Sequence, residues 1–109
     1  MNRRHFTSAL AAVAALAVAA PVQAQTEIQW WHSMTGGLND WVIDLANGFN
    51  ASQKDYKVVP TYKGTYDESM TASIAAFRAG NAPHILQVFE VGTATMMAAK
   101  GAIVPVGKV

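Results

Sequence analysis

Asn81-Ala82-Pro83-His84-Ile85-Leu86-Gln87-Val88-Phe89-Glu90-Val91-Gly92-Thr93-Ala94-Thr95-Met96-Met97 decides the fold. The apolar run from Ile85 to Phe89 reads as a buried strand that ends on a carboxylate, Glu90, and passes at once into a helix. In an open parallel sheet, ligands sit in the crevice beyond the carboxyl ends of the strands. Glu90 therefore stands where a polar solute would be held. Thr93 can cap the helix that follows, which runs through Lys100 until Gly101 stops it.

Working back from that unit, two more strand and helix pairs precede it. Glu27 to His32 is short and β-prone, and Ser33 to Gly37 supplies turn chemistry. Leu38, Trp41, Val42, Leu45, Ala46 and Phe49 then recur at helical spacing as one apolar stripe that would pack on the sheet, with Asn39, Asp40, Asn47 and Asn50 mostly off it. Lys57 to Lys63 is the second strand, and Pro60, which has no amide donor, places itself at an edge or an irregularity. Thr65-Tyr66-Asp67-Glu68 is a capping box that starts the second helix; Met70, Ile74 and Phe77 mark its buried face, Arg78 suits its negative end, and Gly80 ends it. Strands alternating with helices over short connections imply right-handed crossovers and a parallel sheet. The fold class is α/β, as a βαβαβα segment.

The two ends of the chain fall outside this pattern. Residues 1–24 read as a cleavable signal peptide: Arg3-Arg4-His5 is basic, Ala9 to Ala20 is apolar throughout, and Val22-Gln23-Ala24 is a small-x-small cleavage site. The apolar run is about a dozen residues, short of the roughly 20 that span a bilayer. Arg3-Arg4 also resembles a twin-arginine signal, with Thr7 and Ser8 where that pattern prefers Leu and Lys, so export by either route is open. The remainder, 25–109, is expected to be an incomplete α/β lobe, because its three units call for more strands and helices and because its last stretch, Val104-Pro105-Val106-Gly107-Lys108-Val109, is apolar without a capping or polar tail.

Loss of the signal removes Arg3 and Arg4 and moves the formal charge from +1 to −1. No basic cluster is left in the mature part, so nucleic acid is not an expected partner. The chain has no cysteine, which excludes disulfides and thiolate metal sites. His32 and His84 have no neighbours at metal-ligand spacing, and no phosphate loop, nucleophile elbow or dinucleotide fingerprint occurs, so neither a metal nor a cofactor is expected.

Three groups remain as candidates for chemistry. Glu90 can accept two hydroxyl hydrogen bonds through an ionised carboxylate, or it can be a solvated acid beside a helix N-terminus. Tyr66, in the first turn of the second helix, offers a ring face and a phenol, or it packs over Tyr62. Alternation sends Trp30 and His32 to one side of the first strand and Trp31 to the other. Core packing is the ordinary role of the tryptophans, and His32 is more often a neutral, satisfied imidazole than a ligand.

A more specific reading comes from the words of the sequence. Trp31-His32-Ser33-Met34, Val59-Pro60-Thr61-Tyr62-Lys63-Gly64-x-Tyr66, Ala75-Ala76-Phe77-Arg78-x-Gly80-Asn81-Ala82-Pro83 and Gln87-Val88-x-Glu90-Val91-Gly92-Thr93-Ala94-Thr95-Met96-Met97 follow one another along nearly the whole mature chain. In order and spacing they resemble the periplasmic sn-glycerol-3-phosphate-binding branch of the extracellular solute-binding family, whose wider membership takes up oligosaccharides. The resemblance implies a periplasmic-binding-protein-like (type II) fold of two lobes, with only the first part of lobe one present here. It implies a soluble monomeric receptor, not an enzyme, that delivers sn-glycerol 3-phosphate, and glycerophosphodiesters as a further class, to ABC permease subunits in the inner membrane with a cytoplasmic ATPase pair. It implies that Tyr66 and Glu90 bind substrate. The wider family often has an Asp after Ala-Pro, where this chain has His84.

On that reading Glu90 holds the glycerol hydroxyls, because an ionised carboxylate repels phosphate, and the phosphate takes arginine, hydroxyl or backbone donors from beyond this segment. Two alternatives stand beside it: an oligosaccharide receptor of the same fold, and an exported hydrolase using Glu90 and His32 as acid and base, which requires the two side chains to converge on one substrate.

Overall fold

The computed structural model describes residues 24–108, so the signal-peptide reading lies, Ala24 apart, outside the described residues. Strand β1 (Thr26–His32), helix α1 (Gly37–Ser52), strand β2 (Tyr56–Tyr62), helix α2 (Tyr66–Arg78), strand β3 (Ile85–Leu86) and helix α3 (Glu90–Ala98) follow in that order, and a short 3-10 turn covers Val106–Lys108. The three strands form one parallel sheet in the order β2-β1-β3. The expected α/β alternation is therefore present, with β1 at the centre.

That order has a geometric consequence. The chain steps from β1 outward to β2 and then back across β1 to β3, and two right-handed crossovers in opposite directions put their helices on opposite faces. Register assigns the residues to those faces. Trp30 pairs with both Pro60 and Ile85, and His32 with Tyr62, on the α1 side; Trp31 pairs with Thr61 and Leu86 on the α2 side. The strand order also turns between β1 and β3, so the crevice expected to hold ligands opens at the carboxyl ends of those two strands.

Helix α1 seals its face with a narrower line than the stripe expected. Val42 and Ala46 are buried, whereas Leu38, Trp41, Leu45 and Phe49 are all roughly half exposed. The stripe is wider than the strand surface beneath it: α1 lies mainly on β2, and its flank overhangs toward Ile85 on the open edge of β3. Trp30, Leu45, Phe49, Val58 and Ile85 line the groove left there. At its carboxyl end α1 clamps β2 instead of merely ending. The Asn50 side chain donates to Val58 O (2.9 Å) and accepts from Val58 N–H (2.7 Å), serving the backbone as a missing neighbour strand would. Pro60 lies within β2, which is an edge of this sheet, where a missing donor is tolerated.

Helix α2 begins as expected. Thr65 Oγ1 accepts from Glu68 N–H (3.3 Å), and Glu68 Oε2 accepts from Thr65 N–H (2.7 Å). Gly80 ends it with φ +79°. Its buried face is not the one expected, however. Ser69 and Ser73 are buried, while Met70 and Ile74 are half-buried and Phe77 is 43% exposed. Small side chains face the sheet because α2 lies close to it, and the larger ones splay toward α3.

Strand β3 differs most from expectation. It has two ladder residues, half-buried at best, instead of a buried run to Phe89. Beyond those two residues the backbone amide still donates to β1 at each end, and a side chain supplies the acceptor. His84 N–H donates to Gln29 O (3.1 Å), and His84 Nδ1 accepts from Gln29 N–H (3.0 Å). Gln87 N–H donates to Trp31 O (2.9 Å), and Gln87 Oε1 accepts from Ser33 N–H (3.0 Å). With the donor just past β1, Ser33 N–H, satisfied by a side chain, the main chain is free to turn. It does so at Phe89, which is extended and occupies the N-cap of α3, so Glu90 is already the first helical residue. Thr93 is thus not the cap; its hydroxyl donates back to Phe89 O (3.4 Å). The helix ends at Ala98, before Lys100, and Gly101 takes φ +78° in the turn beyond.

Candidate functional site

Three backbone events build the carboxyl end of the sheet. Lys63 N–H donates to His32 O (2.9 Å), extending the β1–β2 pairing by one residue. Gly64, at φ +84°, then reverses the chain so that the capping box can start α2. On the other side of β1, Gln87 ties Ser33 to the exit of β3 immediately before α3 begins. The starts of α2 and α3 are thereby brought together.

Tyr66 and Glu90 are the first residues of those two helices. The Tyr66 ring is half-buried and stacks on Phe89, with centroids 5.2 Å apart and 28° between planes. The alternative of packing over Tyr62 is not what forms. Tyr62 lies on the opposite face, 6.2 Å from the His32 ring, and is half exposed. Glu90 is exposed at the positive end of the α3 dipole, where its charge is favoured, and follows directly on the ring that holds Tyr66. The geometry brings the two expected substrate-binding residues to one end of one layer. Buried Gly92 tightens that layer: a Cβ there would stand 3.2 Å from Met70 Sδ and 3.3 Å from the Phe89 ring.

His32 is elsewhere. Its imidazole is 1% exposed, packs at 6.1 Å from Trp30 on the α1 face, and accepts a hydrogen bond from Met34 N–H at Nδ1 (3.3 Å). Burial holds its pKa below the ordinary value of 6.5, in keeping with a neutral ring. It is not brought to Glu90, so the acid and base pair on which a hydrolase would depend is not assembled here.

Trp31, by contrast, faces the α2 side, and the Lys63 ammonium lies 4.2 Å from its ring centroid. Ser33 Oγ is enclosed between the strand ends with no hydrogen-bond partner. Sequence reasoning did not single out Lys63, Phe89, Gln87 or Asn50. The Ser33 amide that Gln87 accepts from lies 54 residues away and leaves no local signal.

Among the described residues no group of three His, Cys, Asp or Glu side chains could hold a metal ion. Nor is any described helix long and apolar enough to cross a membrane.

Comparison with known proteins bears out the resemblance read from the sequence. The chain is 57% identical over 106 residues (97% of it) to the sn-glycerol-3-phosphate-binding periplasmic protein UgpB of Escherichia coli strain K12, of which it covers 24%. It is 56% identical over 87 residues (80% of it, 20% of the relative) to the protein of that name from Rhizobium meliloti strain 1021. The Brucella suis biovar 1 protein is 53% identical over 103 residues, 94% of this chain and 24% of that relative. The chain thus spans about a quarter of the length of the curated relatives it matches. No protein-family model matches it.

Proposed function

We propose that this chain forms the first part of lobe one of a two-lobed, type II solute-binding protein. That protein captures sn-glycerol 3-phosphate in the periplasm and presents it to the permease subunits of an ABC importer. The observation that carries the reading is the identity to periplasmic sn-glycerol-3-phosphate-binding proteins, which runs along almost all of the chain. The parallel sheet, with two helix starts gathered at its carboxyl end, is compatible with it. Residues 1–24 act as the cleavable export signal, and 25–109 belong to the lobe.

In this role Tyr66 and Glu90 contact the solute. Glu90 accepts from the glycerol hydroxyls through charge-assisted hydrogen bonds, and Tyr66, fixed by Phe89, closes over the carbon chain. The solute is bound and released unchanged, without cofactor or metal. Glycerophosphodiesters share the hydroxyl-bearing end and are the natural second class of ligand.

The test is a hybrid in which residues 26–108 replace the matching segment of the Escherichia coli K12 relative, titrated by calorimetry with sn-glycerol 3-phosphate and maltose in parallel. Saturable binding of the phosphate ester alone is expected. Binding of maltose alone would move the substrate to sugars, and binding of neither would end the reading. Glu90→Gln in the hybrid should weaken binding at least about tenfold, the loss of a charged hydrogen bond being about 1.5–3 kcal/mol. An affinity within about twofold of the parent would remove Glu90 from the site. The 109-residue chain alone should show no saturable binding, since a cleft between two lobes needs both.

A further inference from the structure

Charge is unevenly distributed over the two ends of the sheet. Lys54 and Lys57 stand at the entry to β2, Arg78 closes α2, and Lys100 follows α3; each therefore lies toward the amino ends of the strands, from which the helices return. Arg78 and Lys100 in fact line one groove with Ala82 and Pro83, at the entry to β3. Among the described residues from Thr26 to Lys100, that leaves Lys63 as the cation at the carboxyl end.

Its placement is constrained. The Lys63 backbone is pinned by the hydrogen bond from its amide to His32 O (2.9 Å), and its half-buried side chain sets the ammonium on the ring of Trp31 in the neighbouring strand β1. Trp31 faces the α2 side of the sheet, where Tyr66 and Glu90 begin their helices. Lys63 leaves from the end of β2 and Glu90 from the exit of β3, on either side of β1. Strand spacing puts those exits about 10 Å apart. The carboxyl end of the sheet thus carries a cation on the β2 flank and, beyond β1, an anion on the β3 flank, while the Glu68 carboxylate is held in its capping box.

We propose that Lys63 is a ligand-binding, specificity-determining residue of this site. It receives the anionic phosphate group of the ligand while Glu90 takes the hydroxyl end. The assignment rests on the functional reading above and changes one part of it: the phosphate finds a cation within this segment, not only beyond it. An aromatic face holds the ammonium without neutralising it, so the charge remains available to an entering anion. A lysine in that position favours a dianionic monoester over a neutral sugar, which places the choice between phosphate ester and oligosaccharide partly on this side chain.

The experiment uses the hybrid, its Lys63→Gln and Lys63→Arg variants, and sn-glycerol 3-phosphate, with affinity measured between about 0.05 and 0.3 M salt. Lys63→Gln should bind about ten- to hundredfold more weakly, with a shallower dependence on salt than the parent, and Lys63→Arg should recover most of the affinity. Thermal melts of the three proteins should superimpose within a few degrees. Affinity of Lys63→Gln within about twofold of the parent overturns the assignment, and so does a loss of affinity that leaves the salt dependence unchanged, since that marks a packing role. Failure of the parent hybrid to bind the phosphate ester overturns the functional reading, and this assignment with it.

Discussion

The Tyr66 ring rests on the Phe89 ring at 5.2 Å, so the first residue of α2 is braced by the residue immediately before α3. This single contact couples the two helix starts that carry Tyr66 and Glu90. Replacing Phe89 by Leu keeps an apolar side chain but removes the stack, which should cost about 0.5–1.5 kcal/mol of stability in the hybrid. Solute affinity should fall by more than that cost implies for folding alone, because Tyr66 loses its rest. Gly92→Ala approaches the same ring from below, and a parallel loss of affinity is expected. Unfolding in urea together with calorimetry separates the two effects; unchanged affinity in both variants would mean that the stack is structural only.

Gly64 and Gly80 both have positive φ, but their surroundings differ. A Cβ on Gly64 would collide with the Glu68 carboxylate, whereas one on Gly80 meets nothing within 4 Å. Gly80→Ala should therefore carry only backbone strain, about 1–2 kcal/mol. Gly64→Ala adds loss of the capping box, worth about another 1 kcal/mol. Equal urea midpoints for the two variants would contradict the box as a source of stability.

Asn50 makes two hydrogen bonds to the backbone of Val58 in a partly buried setting. Asn50→Ala leaves that amide and carbonyl without their partner, and a loss of about 1–3 kcal/mol is expected in equilibrium unfolding. Asn50→Asp should recover little, since a carboxylate accepts from Val58 N–H but faces Val58 O without a proton to donate.

Acid should act in two separable windows. Burial lowers the His32 pKa, so below its ordinary 6.5 the unfolded chain takes up a proton that the folded one refuses. Stability attached to the neutral ring is complete above 6.5 and is lost as pH falls from there toward the folded value. The backbone and side-chain hydrogen bonds of Thr65 lower the pKa of Glu68 from 4.5, so its contribution is complete above 4.5 and fades only below it. Melting temperature against pH should show both steps, and Glu68→Gln should flatten the lower one alone. His32 ring protons followed by NMR should titrate below 6.5; a value at or above it would contradict the burial argument.

The capping box, the stop at Gly80, the parallel alternation and the split of Trp30 from Trp31 were all legible in the sequence, because each depends on residues a few positions apart. The position of Tyr66 at a helix start follows from the same local signals, whereas Glu90 read as the end of a strand with Thr93 as the cap and is instead the first residue of α3. The buried line of α1 was not legible: an apolar stripe says which side faces inward, but only the sheet decides how much of it is covered, and here Val42 and Ala46 are covered while Leu38 and Trp41 are not. Nor was the length of β3, since its ladder is completed by His84 and Gln87 reaching partners more than 50 residues away. Lys63 escaped notice for a similar reason. A lone lysine acquires meaning only once the topology shows which end of the sheet it occupies.

The side-chain bonds at the two ends of β3 leave this strand only one possible alignment. A pairing held by backbone alone over two residues could slide, and a slide of one residue would exchange the faces of Ile85 and Leu86 and turn the exit of the strand the other way. His84 grips Gln29 at one end and Gln87 grips Ser33 at the other, like a pair of bookends. The bearing of Glu90 is thus set by His84 and Gln87, neither of which has to touch what Glu90 touches.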